Sequence, residues 1–251
     1  MSSTDTERAC VVTGGAGSIG GAIGRCLRAD GWRVVSLDLG VPARDAADVA
    51  VLGDVAAPAA HAEAAERAVE LGALRGWVNC AGYNILGSVD EVEEAAVRRG
   101  IDVDLLGVFF GAAEAARRMG ALDGPQRGSI VNISSIHAAV GFPGFAAYAM
   151  AKGGIEALTR QVAAEYVASG IRCNAVAPGL IESEMNAQLL AEASDPDALQ
   201  AAWAALTPMG RWGTPDDVAA VVAFLLDGAS GYITGEVLAV NGGATVLARG
   251  R

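Results

Sequence analysis

The sequence is short of positive charge, of aromatic side chains, of long apolar runs and of closely spaced cysteines, and each shortage narrows what the protein can do. Its 251 residues include 18 Lys and Arg against 29 Asp and Glu, a formal net charge of -11. An acidic surface repels phosphate backbones and anionic headgroups, so neither nucleic acid nor a membrane is an expected partner. No apolar run approaches the ~20 residues that a membrane span needs. The opening MSSTDTER is polar, unlike the apolar stretch of a secretory leader. Cys10, Cys26, Cys80 and Cys173 lie far apart, with no CxxC pair. A reduced, cytoplasmic protein without a metal site is the expectation. Aromatics are only 5% of the chain while apolar residues make up 52%. The core must therefore be built from Ala, Val, Leu and Ile, and a disordered chain is excluded.

What is present is an alternation. Short β-branched runs at 9–13, 33–38, 49–52, 76–79, 129–134, 171–177 and 236–241 are separated by longer Ala-rich stretches. Helices are expected at 19–30, 58–71, 91–119, 148–169 and 215–226. Several strands are apolar throughout, as strands buried on both faces should be. The alternation predicts an α/β fold of Rossmann type: a doubly wound, mostly parallel sheet of about seven strands with helices on both faces. No repeat, linker or low-complexity tract divides the chain, so residues 1–251 are expected to form one domain. The stretch 180–208 interrupts the alternation and reads as an inserted lid.

The first strand runs into Thr13-Gly14-Gly15-Ala16-Gly17-Ser18-Ile19-Gly20 and then a helix. Glycines there allow a tight turn and let a pyrophosphate approach backbone N–H groups at the positive end of the helix. Gly15, Gly17 and Gly20 also fit GxGxxG in the strand–turn–helix context that the motif requires. A plain Gly-rich βα turn would look the same out of context. At the first strand of this alternation, a dinucleotide site is the better reading, with Gly14, Gly17, Ser18, Ile19 and Gly20 against the phosphates. The second strand ends at Asp38. A carboxylate there can accept hydrogen bonds from both adenosine ribose hydroxyls and would repel a 2′-phosphate, which favours NAD(H) over NADP(H).

Tyr148 and Lys152 stand four residues apart on one helix face. Such a pair arises often by chance, but Ser135 precedes it and follows directly on a strand whose end should face the cofactor crevice. With these residues in view, the sequence resembles the short-chain dehydrogenase/reductase family over essentially its whole length. The resemblance rests on the TGGAGSIG turn, Asp54-Val55, Asn79-Cys80-Ala81-Gly82, Asn132-Ile133-Ser134-Ser135, Tyr148-Ala149-Met150-Ala151-Lys152, Asn174-Ala175-Val176-Ala177-Pro178-Gly179, and the ending Ile233-Thr234-Gly235 to Asn241-Gly242-Gly243. It implies a nicotinamide cofactor, a homotetramer and interconversion of a secondary alcohol and a ketone. It further implies that Asp54 and Val55 flank the adenine, and that Asn79, Ala81 and Gly82 line the cofactor. Pro178, Gly179, Ile181 and Ser183 would lie against the nicotinamide.

The residue types suit that chemistry. Hydride moves at a carbon while a proton moves at its oxygen, so a general acid/base is needed, and Tyr148 is the candidate. Phenols ordinarily titrate near ~10, and a neighbouring cation such as Lys152 favours the phenolate. Ser135 would hold the substrate oxygen, and Lys152 would also bind the nicotinamide ribose. Three positions depart from the family pattern: Ser18 for a glycine, Cys80 for an Asn, and Asp104 for the Asn of the catalytic tetrad. The family Asn is thought to act through its backbone carbonyl, which an Asp retains.

His137 follows Ser135 by two residues and reads either as a substrate contact or as a wall residue. Ala139, Val140, Phe142 and Phe145 would make the wall beyond it apolar. Met185, Leu189, Leu190, Trp203 and Leu206 of the inserted stretch would add to it, or simply pack its helices. Such a pocket suits a cyclic alcohol, a sugar-like polyol or a β-hydroxyacyl group. Two other functions stay open at this point. One is reduction of 3-oxoacyl thioesters, against which the acidic balance and Asp38 argue. The other is a cofactor-binding regulator without turnover, against which Tyr148 and Lys152 argue.

Overall fold

A computed structural model describes residues 7–247, apart from the side chains of Met185, Gln188 and Leu189. Seven strands form one sheet: β1 (Arg8–Thr13), β2 (Arg33–Asp38), β3 (Val49–Leu52), β4 (Ala73–Asn79), β5 (Gly128–Ile133), β6 (Ile171–Pro178) and β7 (Val237–Val240). Their spatial order is β3-β2-β1-β4-β5-β6-β7, and every neighbouring pair is parallel. The order reverses between β1 and β4, so the two connections leave in opposite directions and open a crevice at the carboxyl ends of these strands.

Successive residues of a strand point to opposite faces, and the sheet uses both. Val11, Val35, Trp77, Ile130 and Cys173 pack into one buried cluster with residues of α2 (Pro58–Leu71), α4 (Gly107–Gly120) and α5 (Ala146–Tyr166). Their neighbours Val12, Val34, Val78, Val131 and Val176 pack into a second cluster with α1 (Ser18–Ala29) and α8 (Pro215–Leu226). Both faces being covered explains why the strands are apolar without alternation.

The expected helix at 91–119 is in fact three pieces. Helix α3 (Glu94–Ile101) passes into a turn of π-helix at Asp102–Leu106 before α4 begins. One residue too many per turn rotates Asp104 inward, where it is fully buried. The stretch 180–208 folds as two short helices, α6 (Glu184–Ala191) and α7 (Pro196–Ala204). Asp195 caps α7 by accepting the Ala198 N–H at 3.0 Å, and Pro196 occupies its first turn. Among the described residues no helix is long and apolar enough to cross a membrane.

Candidate active site

The carboxyl ends of the strands surround a cleft of about 1030 Å³. At one end lies the glycine turn. The Thr13 hydroxyl accepts the N–H groups of Cys80 and Ala81 at 3.0 and 3.1 Å, which draws the end of β4 against the turn. Gly14 has a φ of 71°, and a Cβ on it would lie 2.7 Å from the backbone of Ala81, so only glycine fits. A side chain on Gly20 would collide with the carbonyl of Gly14. Gly17 caps α1 without a side-chain hydrogen bond, so the first amides of that helix are left to a ligand. Gly14, Gly17, Ser18, Ile19 and Gly20 all line the cleft. Ser18, in its unusual position, accepts the Glu184 N–H with its hydroxyl oxygen at 3.3 Å, joining the turn to the start of α6.

Asp38 stands at the end of β2, its Oδ2 accepting the Ala16 N–H at 2.9 Å and its Oδ1 accepting the Gly40 N–H at 3.0 Å. These bonds aim the carboxylate at the cleft and leave it lone pairs for ribose hydroxyls. Asp54 is paired with Arg99 at 2.8 Å. The hydrogen bond from Arg99 holds its carboxyl below the usual range, helped by the Ala56 N–H. Val55 lines the cleft, and its carbonyl is bonded to Nε2 of the buried His61 at 2.8 Å. An uncapped helix N-terminus, a cradle that admits only glycine and a carboxylate at the second strand end together fit a nicotinamide dinucleotide.

At the other end are the candidate reacting groups. Ser135 follows β5, Tyr148 lies in the first turn of α5, and Lys152 lies one turn further on. All three line the cleft. The Lys152 ammonium sits 5.3 Å from the centre of the Tyr148 ring and donates to the Ile133 carbonyl at 3.3 Å. Burial opposes the charge on Lys152, but Asp104, Tyr148 and Cys80 favour it, and the balance raises its pKa above the ordinary value. Ser135 Oγ accepts the His137 N–H at 3.3 Å, leaving the hydroxyl hydrogen free to donate.

Two expected site residues lie behind the wall of the cleft and do not contact it. Asp104 is fully buried. Its Oδ1 accepts the Tyr83 N–H at 2.6 Å, and its Oδ2 is sealed without a partner. Gly82 stands between it and Lys152: a Cβ there would be 3.4 Å from Asp104 Oδ1 and 3.7 Å from Lys152 Nζ. Burial raises the Asp104 pKa against the opposing pull of Lys152 and the Tyr83 N–H. The Asp104 side chain therefore stands behind the cleft wall, with the chain at Gly82 on the cleft side of it. Asn79 is buried as well. Its Oδ1 accepts from Trp77 Nε1 at 2.9 Å, its Nδ2 donates to Asn132 Oδ1 at 2.9 Å, and Asn132 Nδ2 donates to Thr159 Oγ1 at 2.9 Å. This chain of side chains joins β4 and β5 to α5 and so sets the position of the helix that carries Tyr148 and Lys152. It is the turn after Asn79, with Ala81 and Gly82, that reaches the cleft.

Beyond the reacting groups the wall is aromatic and apolar. His137 packs against Phe142, Phe145 and Tyr148, with ring centres 4.6, 4.4 and 5.3 Å away. Val140, Trp203 and Leu206 continue the wall; Ala139 and Leu190 do not reach it. The side chains of Met185 and Leu189 lie outside the described residues. Pro178, Gly179, Ile181 and Ser183 line the cleft where β6 hands over to α6. Sequence reasoning missed Arg99 and Thr207 on the wall. Neither carries a motif of its own: Arg99 reaches the cleft beside Asp54, with which it pairs, and Thr207 stands at the end of the inserted stretch.

Comparison with known proteins agrees with this architecture. Residues 14–245 match a family described as enoyl-(acyl carrier protein) reductase. A 2-(S)-hydroxypropyl-CoM dehydrogenase of Xanthobacter autotrophicus is 39% identical over 98% of this chain and 100% of its own length. A cis-4-hydroxycyclohexanecarboxylate dehydrogenase of Sinomonas cyclohexanicum is 38% identical over 98% of this chain and 100% of its own. A solved structure from Agrobacterium tumefaciens with bound NADP has a TM-score of 0.84 at 32% identity, covering 96% of this chain and 97% of that one. The chain belongs to the short-chain dehydrogenase/reductase family, whose members are oxidoreductases that use a nicotinamide cofactor.

Proposed function

We propose that the protein is an NAD(H)-dependent dehydrogenase that interconverts a secondary alcohol and a ketone, with a cyclic alcohol, sugar or polyol as the substrate type. The observation that carries this reading is the convergence of Ser135, Tyr148 and Lys152 on the same cleft as the glycine turn and Asp38. The nicotinamide cofactor, when bound, supplies the hydride acceptor. In alcohol oxidation, the Ser135 hydroxyl donates to the substrate oxygen and holds it beside Tyr148. Tyr148 takes the hydroxyl proton as the hydride leaves the carbon, and returns it in ketone reduction. Lys152, charged and largely buried at the edge of the cleft, stabilises the phenolate and holds the nicotinamide ribose. Asp38 favours NAD(H), because its carboxylate faces the place where a 2′-phosphate would sit. The Sinomonas relative, which acts on a hydroxycyclohexane, supports the cyclic class.

Three further features belong to the same reading. Residues 180–208 act as a lid over the substrate. The protein is cytoplasmic and acts as a single-domain subunit of a homotetramer. The exposed Phe109 and Met150 on α4 and α5 give the subunits apolar surface to bury, and light scattering at micromolar concentration tests this, a monomer being the contrary result. The function itself is tested by following NAD⁺ reduction with a panel of secondary alcohols, cyclic diols and sugars. Turnover on at least one of them is expected, and inactivity on all of them in both directions would overturn the assignment.

A further inference from the structure

His137 is held more firmly than a wall residue needs to be. Its ring lies between Phe142 and Phe145 and stands edge-on to Tyr148, the planes meeting at 84°. Three aromatic contacts fix the plane of the imidazole, and the bond from its backbone N–H to Ser135 Oγ fixes its place along the chain. The two ring nitrogens then differ. Nδ1 is sealed from solvent and has no hydrogen-bond partner, while Nε2 makes no bond to any described protein group. The ring belongs to the lining of the cleft.

Burial lowers the His137 pKa, so the imidazole is neutral near pH 7 and carries a single proton. A proton on Nδ1 would be a buried donor with nothing to bond, the rarer and costlier kind of orphan. A proton on Nε2 can be shared with whatever occupies the cleft. The ring therefore adopts the Nε2–H tautomer and presents one fixed donor beside the reacting groups.

Resting on the alcohol–ketone reading above, we propose that His137 is a specificity-determining residue whose Nε2–H donates to a second oxygen of the substrate. The preferred substrate class is then a cyclic secondary alcohol with an acceptor oxygen on the same ring. Its apolar remainder lies against Phe142 and Phe145. The reacting oxygen belongs to Ser135 and Tyr148; the second oxygen belongs to His137. A substrate lacking that oxygen leaves the Nε2–H without a partner in a largely apolar wall, and this is the physical source of discrimination.

The test compares cyclohexane-1,2-diol and cyclohexane-1,3-diol with cyclohexanol, using NAD⁺, in the wild type, His137→Phe and His137→Gln. Phenylalanine keeps an aromatic ring and loses the donor; glutamine loses the ring and keeps an N–H donor. NADH binding, followed by fluorescence, shows that each variant is folded. In the wild type, kcat/KM for the better diol should exceed that for cyclohexanol by roughly 10-fold or more, the value of one well-placed hydrogen bond. The ratio should fall to near one in His137→Phe and recover in part in His137→Gln. An unchanged ratio in His137→Phe, or equal use of all three alcohols by the wild type, overturns the role of His137 while leaving the dehydrogenase reading intact. Failure of the wild type to oxidise any alcohol overturns both.

Discussion

The Asp104 carboxylate accepts the backbone N–H of Tyr83 at 2.6 Å and thereby clamps the turn after β4 over the ammonium of Lys152. The same contact places a buried carboxyl group behind the Lys152 ammonium, a Cβ on Gly82 lying 3.4 Å from Asp104 Oδ1 and 3.7 Å from Lys152 Nζ. Among the described residues no ion pair within 4 Å joins the two, so they act on each other without direct contact.

Asp104→Asn keeps an acceptor for the Tyr83 N–H and removes the charge. A carboxylate facing Lys152 cancels part of the field by which the ammonium favours the Tyr148 phenolate. The acidic limb of kcat/KM for alcohol oxidation should therefore move down in the Asn variant, by about one pH unit for one charge at this range, with activity retained. A limb that stays in place, or moves up, refutes the coupling. Complete loss of activity would instead place the carboxylate itself on the proton path.

Asp38 should make NAD⁺ the better cofactor. Setting a carboxylate against a phosphate costs several kcal/mol, which is a preference of at least ~100-fold in kcat/KM. Asp38→Ser removes the repulsion and should raise the efficiency with NADP⁺ while lowering it with NAD⁺. Equal use of the two cofactors by the wild type would sink this assignment.

Tyr148→Phe removes the phenol and keeps the ring that packs on His137. Turnover should fall by at least ~10²-fold, the usual worth of a general acid–base. Titration with NADH should give nearly the wild-type affinity, since the substitution leaves the proposed dinucleotide cradle at the glycine turn and Asp38 unchanged. Wild-type turnover in the variant on any substrate rules out the proton-transfer role.

His61 predicts a pH dependence of stability remote from the chemistry. It is buried beside Trp77 and Phe110, bonded through Nε2 to the Val55 carbonyl, with Nδ1 sealed and unpartnered. Burial lowers its pKa from the ordinary 6.5, partly offset by the Val55 bond. The unfolded chain therefore takes up the proton first. The stabilisation is complete above pH ~6.5 and is lost as the pH falls through the folded-state value. His61→Gln can keep a donor to Val55 and cannot titrate, so its Tm should drop less than that of the wild type between pH 7.5 and 5.5. The difference should be a few degrees, each ~1 kcal/mol being worth about 2–4 °C in a domain of this size. Equal drops would mean that His61 is accommodated with its charge.

The sequence by itself determined the seven strands, their parallel arrangement and the place of the crevice, because these follow from interactions that repeat along the chain. A strand covered on both faces must be largely apolar, as Ala9–Val12 of β1 and Ala175–Ala177 of β6 are. A turn that brings Gly14 against Ala81 at positive φ admits only glycine, and a Tyr–Lys pair four residues apart on a helix shares a face wherever that helix lies. Tertiary structure alone decided the rest. Nothing local distinguishes Asp102, which is partly exposed, from Asp104, which is sealed; both lie in the π-turn, and it is the amide of Tyr83, 21 residues earlier, that Asp104 meets inside the fold. Nor does the Asn79-Cys80-Ala81-Gly82 motif reveal that its Asn faces the core, because Asn132, the partner that takes its amide there, comes from the neighbouring strand β5, 53 residues later. Arg99 reaches the wall of the cleft through its pairing with Asp54, and the Nδ1 of His137 is sealed only because Phe142, Phe145 and Tyr148 meet its ring. Burial and partnership of polar groups depend on which distant segments meet, and that is settled only when the sheet has closed on its helices.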